Sequence, residues 1–294
     1  MRRLVPALVS AVLLLMLTLA IEPHKVTMVL GQLPVWSLVA ALMISIPQVV
    51  LSALRWRYTA QRLNVSLGVR ESILAYYRAT LVNQLMPGGV LGDVQRAWHT
   101  RDPRARTSAA VHSVMIERLS GQIALLLIIA ALLTLAPPVA PVGAPTGKWL
   151  LGVLGVALLV AVLRLPFLRH YTAVLGADCR AALLRWPAPV IQFALSTAAV
   201  ASYFATLALL DIGLTGQPIG VEKLALHGCL LLSMVVPVSV AGWGVREGVA
   251  AILWPMAGFP ASEGVALGIA YGLVILMGSL PGLIPGLDQE SQNH

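Results

Sequence analysis

A helix needs about 20 apolar residues to cross the roughly 30 Å hydrocarbon core of a membrane, and this chain supplies runs of that order repeatedly. Apolar segments lie at about 4–21, 35–54, 72–91, 108–136, 149–165, 190–210, 222–243 and 245–285. They are long, rich in Leu and Ala, and lack the short alternating pattern of a membrane barrel, so they read as helices. The last is long enough for a partial segment followed by a full span. Only 11% of residues are charged and 58% are hydrophobic, where a soluble domain carries about 25% charged residues. A chain of 294 residues is too short to bury so much apolar surface in a core of its own. The expected fold is an all-α polytopic membrane protein forming a single domain over residues 1–294.

The net charge of +8 is almost entirely arginine, 17 Arg against 3 Lys. These residues fall in short clusters between apolar runs. There they mark topology and meet anionic headgroups, and no nucleic-acid partner is expected. Arg2 and Arg3 place the N-terminus in the cytoplasm, ahead of an apolar run longer than a signal peptide usually carries, read as an uncleaved first helix. Glu22 to Lys25 are then outside, and Arg55, Arg57, Arg62 and Arg70 inside. The next cluster, Arg96, Arg101, Arg104 and Arg106, also belongs inside. A single crossing by segment 72–91 would put four arginines on the wrong face. A re-entrant pair of half-helices over 72–96, broken at Pro87-Gly88-Gly89, satisfies both clusters.

The same break recurs. Pro87-GGVL-Gly92-DVQ-Arg96 and Pro237-VSVA-Gly242-WGV-Arg246 both read P-x4-G-x3-R, 150 residues apart. Three crossings precede the middle of the chain, so the second half starts from the opposite side, as in an inverted repeat. The halves are about 1–136 and 149–286. The expected total is about six full spans plus two re-entrant segments, the second over 222–258 and the last span over 262–285. The alternative is that 222–243 crosses fully, which moves the C-terminus outside.

Several polar residues fall where charge is costly. Glu117 and Arg118 lie about ten residues into a helix starting near Thr107, roughly 15 Å deep at 1.5 Å per residue. Each charge costs about 2.5–3.5 kcal/mol at the centre of a span, so such residues face a cavity and pair there. Glu117 is expected to meet Arg96 or Arg246 across the interior. A half-helix after Pro87-Gly88-Gly89 would point free N–H groups at an anion. Arg96 would add a bidentate contact, with Asp93 orienting an arginine. Arg246-Glu247 forms a charged pair after the flexible Gly242 and Gly244, and a surface loop is the other reading of that stretch. His112 and Glu117 are poorly spaced for one metal. His227 reads as a packed or hydrogen-bonded helix residue, and Cys179 and Cys229 form no disulfide or zinc pattern. Nucleotide-binding, hydrolase and redox motifs are missing, so neither a cofactor, a metal nor an enzyme activity is expected.

The ordered motifs Asn83-x-x-Met-Pro-Gly-Gly-x-x-Gly-Asp-x-x-Arg96, then Glu117-Arg-Leu, then Pro237-x4-Gly-x-Gly-x-Arg-Glu247 resemble the lysylphosphatidylglycerol synthase transmembrane family. This flippase-like domain is the membrane part of bacterial multiple peptide resistance factors. The resemblance spans nearly the whole chain. It implies a lipid flippase of the bacterial inner membrane. The site it implies comprises Asn83, Pro87, Gly88, Gly89, Gly92, Asp93 and Arg96, then Glu117 and Arg118, then Pro237, Gly242, Gly244, Arg246 and Glu247. The implied substrate is an anionic or polar-headgroup phospholipid or an isoprenoid-type lipid, with further copies of the chain or lipid-biosynthesis enzymes as partners. The sequence ends at His294 without the cytosolic aminoacyl-transfer domain, so that reaction is not expected. The alternatives are a membrane-embedded lipid-modifying enzyme and a scaffold for a lipid-biosynthesis complex.

Overall fold

The computed structural model describes residues 23–86, 89–99, 106–135, 174–235 and 239–284. The expected first helix at 4–21, the loop at 137–147 and the segment at 149–165 lie outside them. All regular structure among the described residues is helical. The elements are α1 (Pro23–Gly31), α2 (Val35–Arg62), α3 (Val69–Leu85), α4 (Leu91–His99), α5 (Thr107–Leu135), a π-helical turn (Arg180–Leu184), α6 (Ala188–Thr215), α7 (Val221–Ser233), α8 (Val245–Met256), α9 (Ala261–Ser279) and a closing 3-10 turn (Leu280–Leu283). Four of them are long and apolar enough to cross a membrane: α2, α5, α6, and α9 continued into its 3-10 turn.

These helices are built inside out relative to a soluble bundle. The outer faces carry large apolar side chains, among them Trp36, Met43, Leu127, Phe193 and Ile252, all exposed. The buried stripe of α2 is small or polar instead: Ser45, Gln48, Ser52, Arg55 and Thr59, with Ala41, Ala53 and Ala60 beside it. Small residues let helix backbones approach closely where no hydrophobic force drives them together. α2 and α6 pack on each other more extensively than any other pair. Hydrogen bonds from Gln192 to Thr59 (2.8 Å) and from Thr206 to Gln48 (3.4 Å) tie them. α2 ends as its sequence requires. Asn64 takes the left-handed conformation (φ 61°), and the N–H groups of Val65 and Asn64 return to the carbonyls of Ala60 and Gln61, closing the helix in a Schellman turn.

Both copies of the P-x4-G-x3-R motif fold as helix, break, helix. α3 and α4 flank the first break, α7 and α8 the second. The first pair leaves from and returns to one end of the bundle. Arg62, at the end of α2, donates to the carbonyls of Ala181 and Arg185 (3.0 and 2.9 Å). Arg106, just before α5, pairs with Asp178 (2.6 Å), in the same segment. The second pair hangs from the other end of α6. Lys223 in the first turn of α7 meets both Asp211 of α6 (2.9 Å) and Glu263 in the first turn of α9 (3.5 Å).

One departure is α1, in the stretch expected to be an outer loop. Pro23 suits a first helical turn, and α1 packs Val26 into the core that includes α9.

The return of α4 along α3 depends on Gly92. A Cβ there would overlap the backbone of Ala79. Gly92→Ala should therefore cost about 1–3 kcal/mol. Gly248→Ala, in open space within α8, should stabilise by about 0.5–1 kcal/mol. Thermal unfolding of the detergent-purified protein reads both, and an unchanged melt for Gly92→Ala would refute the close crossing.

Candidate functional site

Ten residues into α5, Glu117 is fully buried. Its carboxylate receives two guanidinium groups. Arg55 of α2 bonds Oε1, and Arg96 of α4 bonds Oε2 at 2.7 Å. The Tyr76 hydroxyl of α3 donates to the same carboxylate (3.4 Å). Arg96 lies between two aromatic faces, Trp56 at 4.8 Å and Tyr76 at 4.6 Å, which favours a cation by the ring quadrupole. Trp56 is itself held by a hydrogen bond to Ser113 (3.1 Å). One turn after Glu117, Gly121 makes room for Arg55. A Cβ there would stand 2.8 Å from its guanidinium nitrogens.

Asp93 extends the cluster. It pairs with Arg96 (3.0 Å) and with Arg118, whose side chain is 41% exposed. Asn83 accepts from the Gly92 N–H at 2.8 Å and reaches Asp93 through its amide nitrogen at 3.5 Å. The Asp93 and Val94 N–H groups bond back to the Val90 carbonyl. This corrects the expected anion site of free N–H groups at the start of α4. Asn83 and Val90 already satisfy those donors, so attraction for an anion resides in the guanidinium side chains. Pro87 and Gly88 lie outside the described residues. Gly89 takes φ 58°, in the turn before α4.

In the second copy, Gly242 and Gly244 take φ values of 81° and 86°, which only glycine adopts without strain. Pro237 lies outside the described residues. Arg246 and Glu247 are both fully buried, so the surface-loop reading is set aside. Glu247 accepts from the Gly244 N–H at 2.6 Å, and from Arg246 at 2.6 and 3.0 Å. It thereby caps α8 and neutralises its neighbour at once. Arg246 sits near the rings of Trp243 (5.0 Å) and Tyr271 (5.9 Å). Of the two partners expected for Glu117, Arg96 pairs with it and Arg246 does not, because Glu247 at the helix N-terminus occupies that arginine. Arg55 takes the place instead.

These pieces enclose a cavity of about 280 Å³. Asn83, Gly89, Asp93, Arg96, Glu117 and Arg118 line it from the first half, and Gly242 and Tyr271 from the second. Gln48, Arg55, Tyr76 and Tyr203 complete its polar wall. Arg246, Glu247 and Gly244 stand behind that wall. Three guanidinium groups against two carboxylates leave one net positive charge at the cavity. Sequence reasoning missed Arg55, taking it for a surface charge of the cytoplasmic cluster. The signal was there: Ser45, Gln48, Ser52, Arg55 and Thr59 recur every three or four residues, one face of a helix. His112, weighed as a metal ligand, is instead bonded to Asp178 at 2.6 Å.

Removing the central carboxylate should be severe. Glu117→Gln leaves two buried cations without their shared partner and should cost about 3–5 kcal/mol. Arg118→Ala, at a half-exposed pair, should cost less than about 1 kcal/mol. Thermal unfolding in detergent separates the two, and equal losses would refute the central role of Glu117.

No curated protein and no solved structure matches the chain. Residues 3–282, which contain every residue of the cavity, match the family described as the lysylphosphatidylglycerol synthase TM region. The chain belongs to that family of membrane proteins related to lipid handling.

Proposed function

We propose that this protein is a translocator that moves a lipid with an anionic headgroup across the inner membrane of a bacterium. The observation that carries the reading is the cavity's charge. A net positive charge at the wall of a cavity draws an anion into it, and a phosphate-bearing headgroup would supply one. Arg96, Arg55 and Arg118 would receive the phosphate, while Glu117 and Asp93 hold those arginines in place when the headgroup is gone. The lipid chains would stay outside, along the apolar faces. Phospholipids and isoprenoid-linked lipids both present such a headgroup.

The topology proposed with it has six full spans, two re-entrant pairs, and an N-terminus in the cytoplasm. Supporting it, α3–α4 returns to the arginine-rich end it leaves, and α7–α8 returns to the opposite end. That is the relation of an inverted repeat, and such repeats exchange access by rocking one half against the other. The cavity lies where the two breaks converge, with Gly89 on one side and Gly242 on the other. On this reading no bond in the lipid is made or broken.

Headgroup translocation in proteoliposomes tests the proposal. Phosphatidylglycerol should move at least about tenfold faster than phosphatidylcholine, a difference of about 1.4 kcal/mol in barrier. Arg96→Ala should lower the phosphatidylglycerol rate by a similar factor or more. Equal rates for the two lipids, or an Arg96→Ala rate like that of the unaltered protein, would overturn it.

A further inference from the structure

A second buried polar cluster lies at the other end of the bundle. Asp211, near the end of α6, accepts from Lys223 (2.9 Å) and faces His227 Nε2 (2.9 Å). Lys223 also reaches Glu263 (3.5 Å). Asp211, Lys223 and His227 are nine-tenths or more buried, and His227 completely so. An ionised carboxylate can only accept, so Nε2 carries the proton of the neutral imidazole. Nδ1 is then the free basic atom, and it has no partner among the described residues.

Charge around this histidine is unbalanced. With the imidazole neutral, Lys223 stands against both Asp211 and Glu263, an excess of one negative charge. Glu222, also on α7, adds another carboxylate nearby. The elements packed directly on α7 bring no compensating group to His227 itself. α8 presents the Trp254 ring, 6.4 Å away and roughly parallel, and its Arg246–Glu247 pair lies about two turns off. α5 packs Ile129 against α7 beside Gly228, with its charged residues at its far end. α1 contributes Val29, about one turn beyond Lys25, the residue after α1 contributes Gln32, and α2 has no charged residue before Arg55. A second cavity, of about 400 Å³, opens onto Lys223, Glu222 and Glu263. From there α7 leads to Leu231 and Met234 in the wall of the central cavity. Along α6, Asp211 is eight residues from Tyr203 in that wall, about 12 Å.

We propose that Asp211, Lys223, His227 and Glu263 form a proton-binding site, with His227 Nδ1 as the atom that takes the proton and the second cavity reaching the site at Lys223 and Glu263, that couples a proton to headgroup movement. The coupling rests on the translocator reading; the binding of the proton does not. Uptake of one proton balances the charges of Asp211, Lys223 and Glu263 and leaves Glu222, at the mouth of the second cavity, as the remaining carboxylate. The imidazolium then draws the Asp211 carboxylate, and Lys223 turns toward Glu263. That changes how the start of α7 is tied to α9, and α7 leads directly into the break that walls the central cavity. Asp, Glu and His chains in membrane interiors serve as proton relays.

Two measurements test this. A protonated imidazole quenches an adjacent indole, so tryptophan fluorescence of the purified protein should fall as pH is lowered through the neutral range. His227→Gln should abolish that step, and Asp211→Asn should move its midpoint down by about one unit or more. In proteoliposomes a pH gradient should change the headgroup rate severalfold for the unaltered protein and leave His227→Gln unaffected. A pH response identical in His227→Gln, or a midpoint unmoved in Asp211→Asn, overturns the proton site whatever the lipid assay shows. A rate independent of the gradient overturns the coupling. A protein that titrates as expected but moves no lipid overturns the translocator reading, and the coupling with it.

Discussion

One carboxylate organises the centre of this molecule. Glu117 of α5 receives Arg55 from α2 and Arg96 from α4, so a single side chain pins three helices. The dependence runs both ways. Without Glu117 the two arginines would be buried cations with no shared partner, and without them Glu117 would be a bare charge at membrane depth. A short helix benefits most. α4 has nine residues, below the length at which an isolated helix holds together in water. Its position comes from Arg96 at one point and from the contact of Gly92 with α3 at another.

Around this centre the protein distributes polarity by depth within the fold. Charged and amide side chains gather in buried clusters closed by acid–base pairs, set among buried apolar residues such as Leu207, Leu230 and Trp254, while the outer faces are also apolar. The two arginine-bearing breaks solve the same problem differently. In the first, the arginine finds its carboxylate on another helix, and an asparagine caps the new helix. In the second, Glu247 does both jobs from within its own first turn. The tetrapeptide Gly-Val-Arg-Glu opens α3 at residues 68–71 and α8 at 244–247. In both, the glutamate reaches back to the glycine N–H. Only the second buries its arginine, because Trp243 and Tyr271 are there to receive it.

Much of this was legible in the sequence. The helical class followed from segment length, and the two breaks followed from proline and glycine in otherwise apolar runs. Glu117 stood out because ten helical residues separate it from the start of its helix. Pairings were less legible, since they depend on which helices neighbour one another. Arg55 lies among arginines that do sit at an end, and nothing local distinguishes it except the polar stripe of α2. Arg246 was read both as paired with its neighbour Glu247 and as a partner for Glu117, and the sequence did not decide between the two. Adjacent helical side chains diverge by about 100°, but Glu247 is turned back by its capping bond, which brings its second oxygen within reach of its neighbour. Asp211, Lys223 and His227 are spread over two helices, and only the fold brings them together.

The two helix pairs hang from opposite ends of the bundle, and this bears on how the chain finds its orientation during insertion. A scaffold whose top and bottom carry the same device would pack equally well upside down. Its sense of direction must come from something the device does not contain. The two ends differ there. One gathers Arg62, Arg106, Arg180 and Arg185, whereas the other holds Asp211, Glu222 and Glu263 with a single lysine. On the topology proposed above, the orientation of the molecule in its membrane would be carried by the charges at its two ends more than by the repeated device.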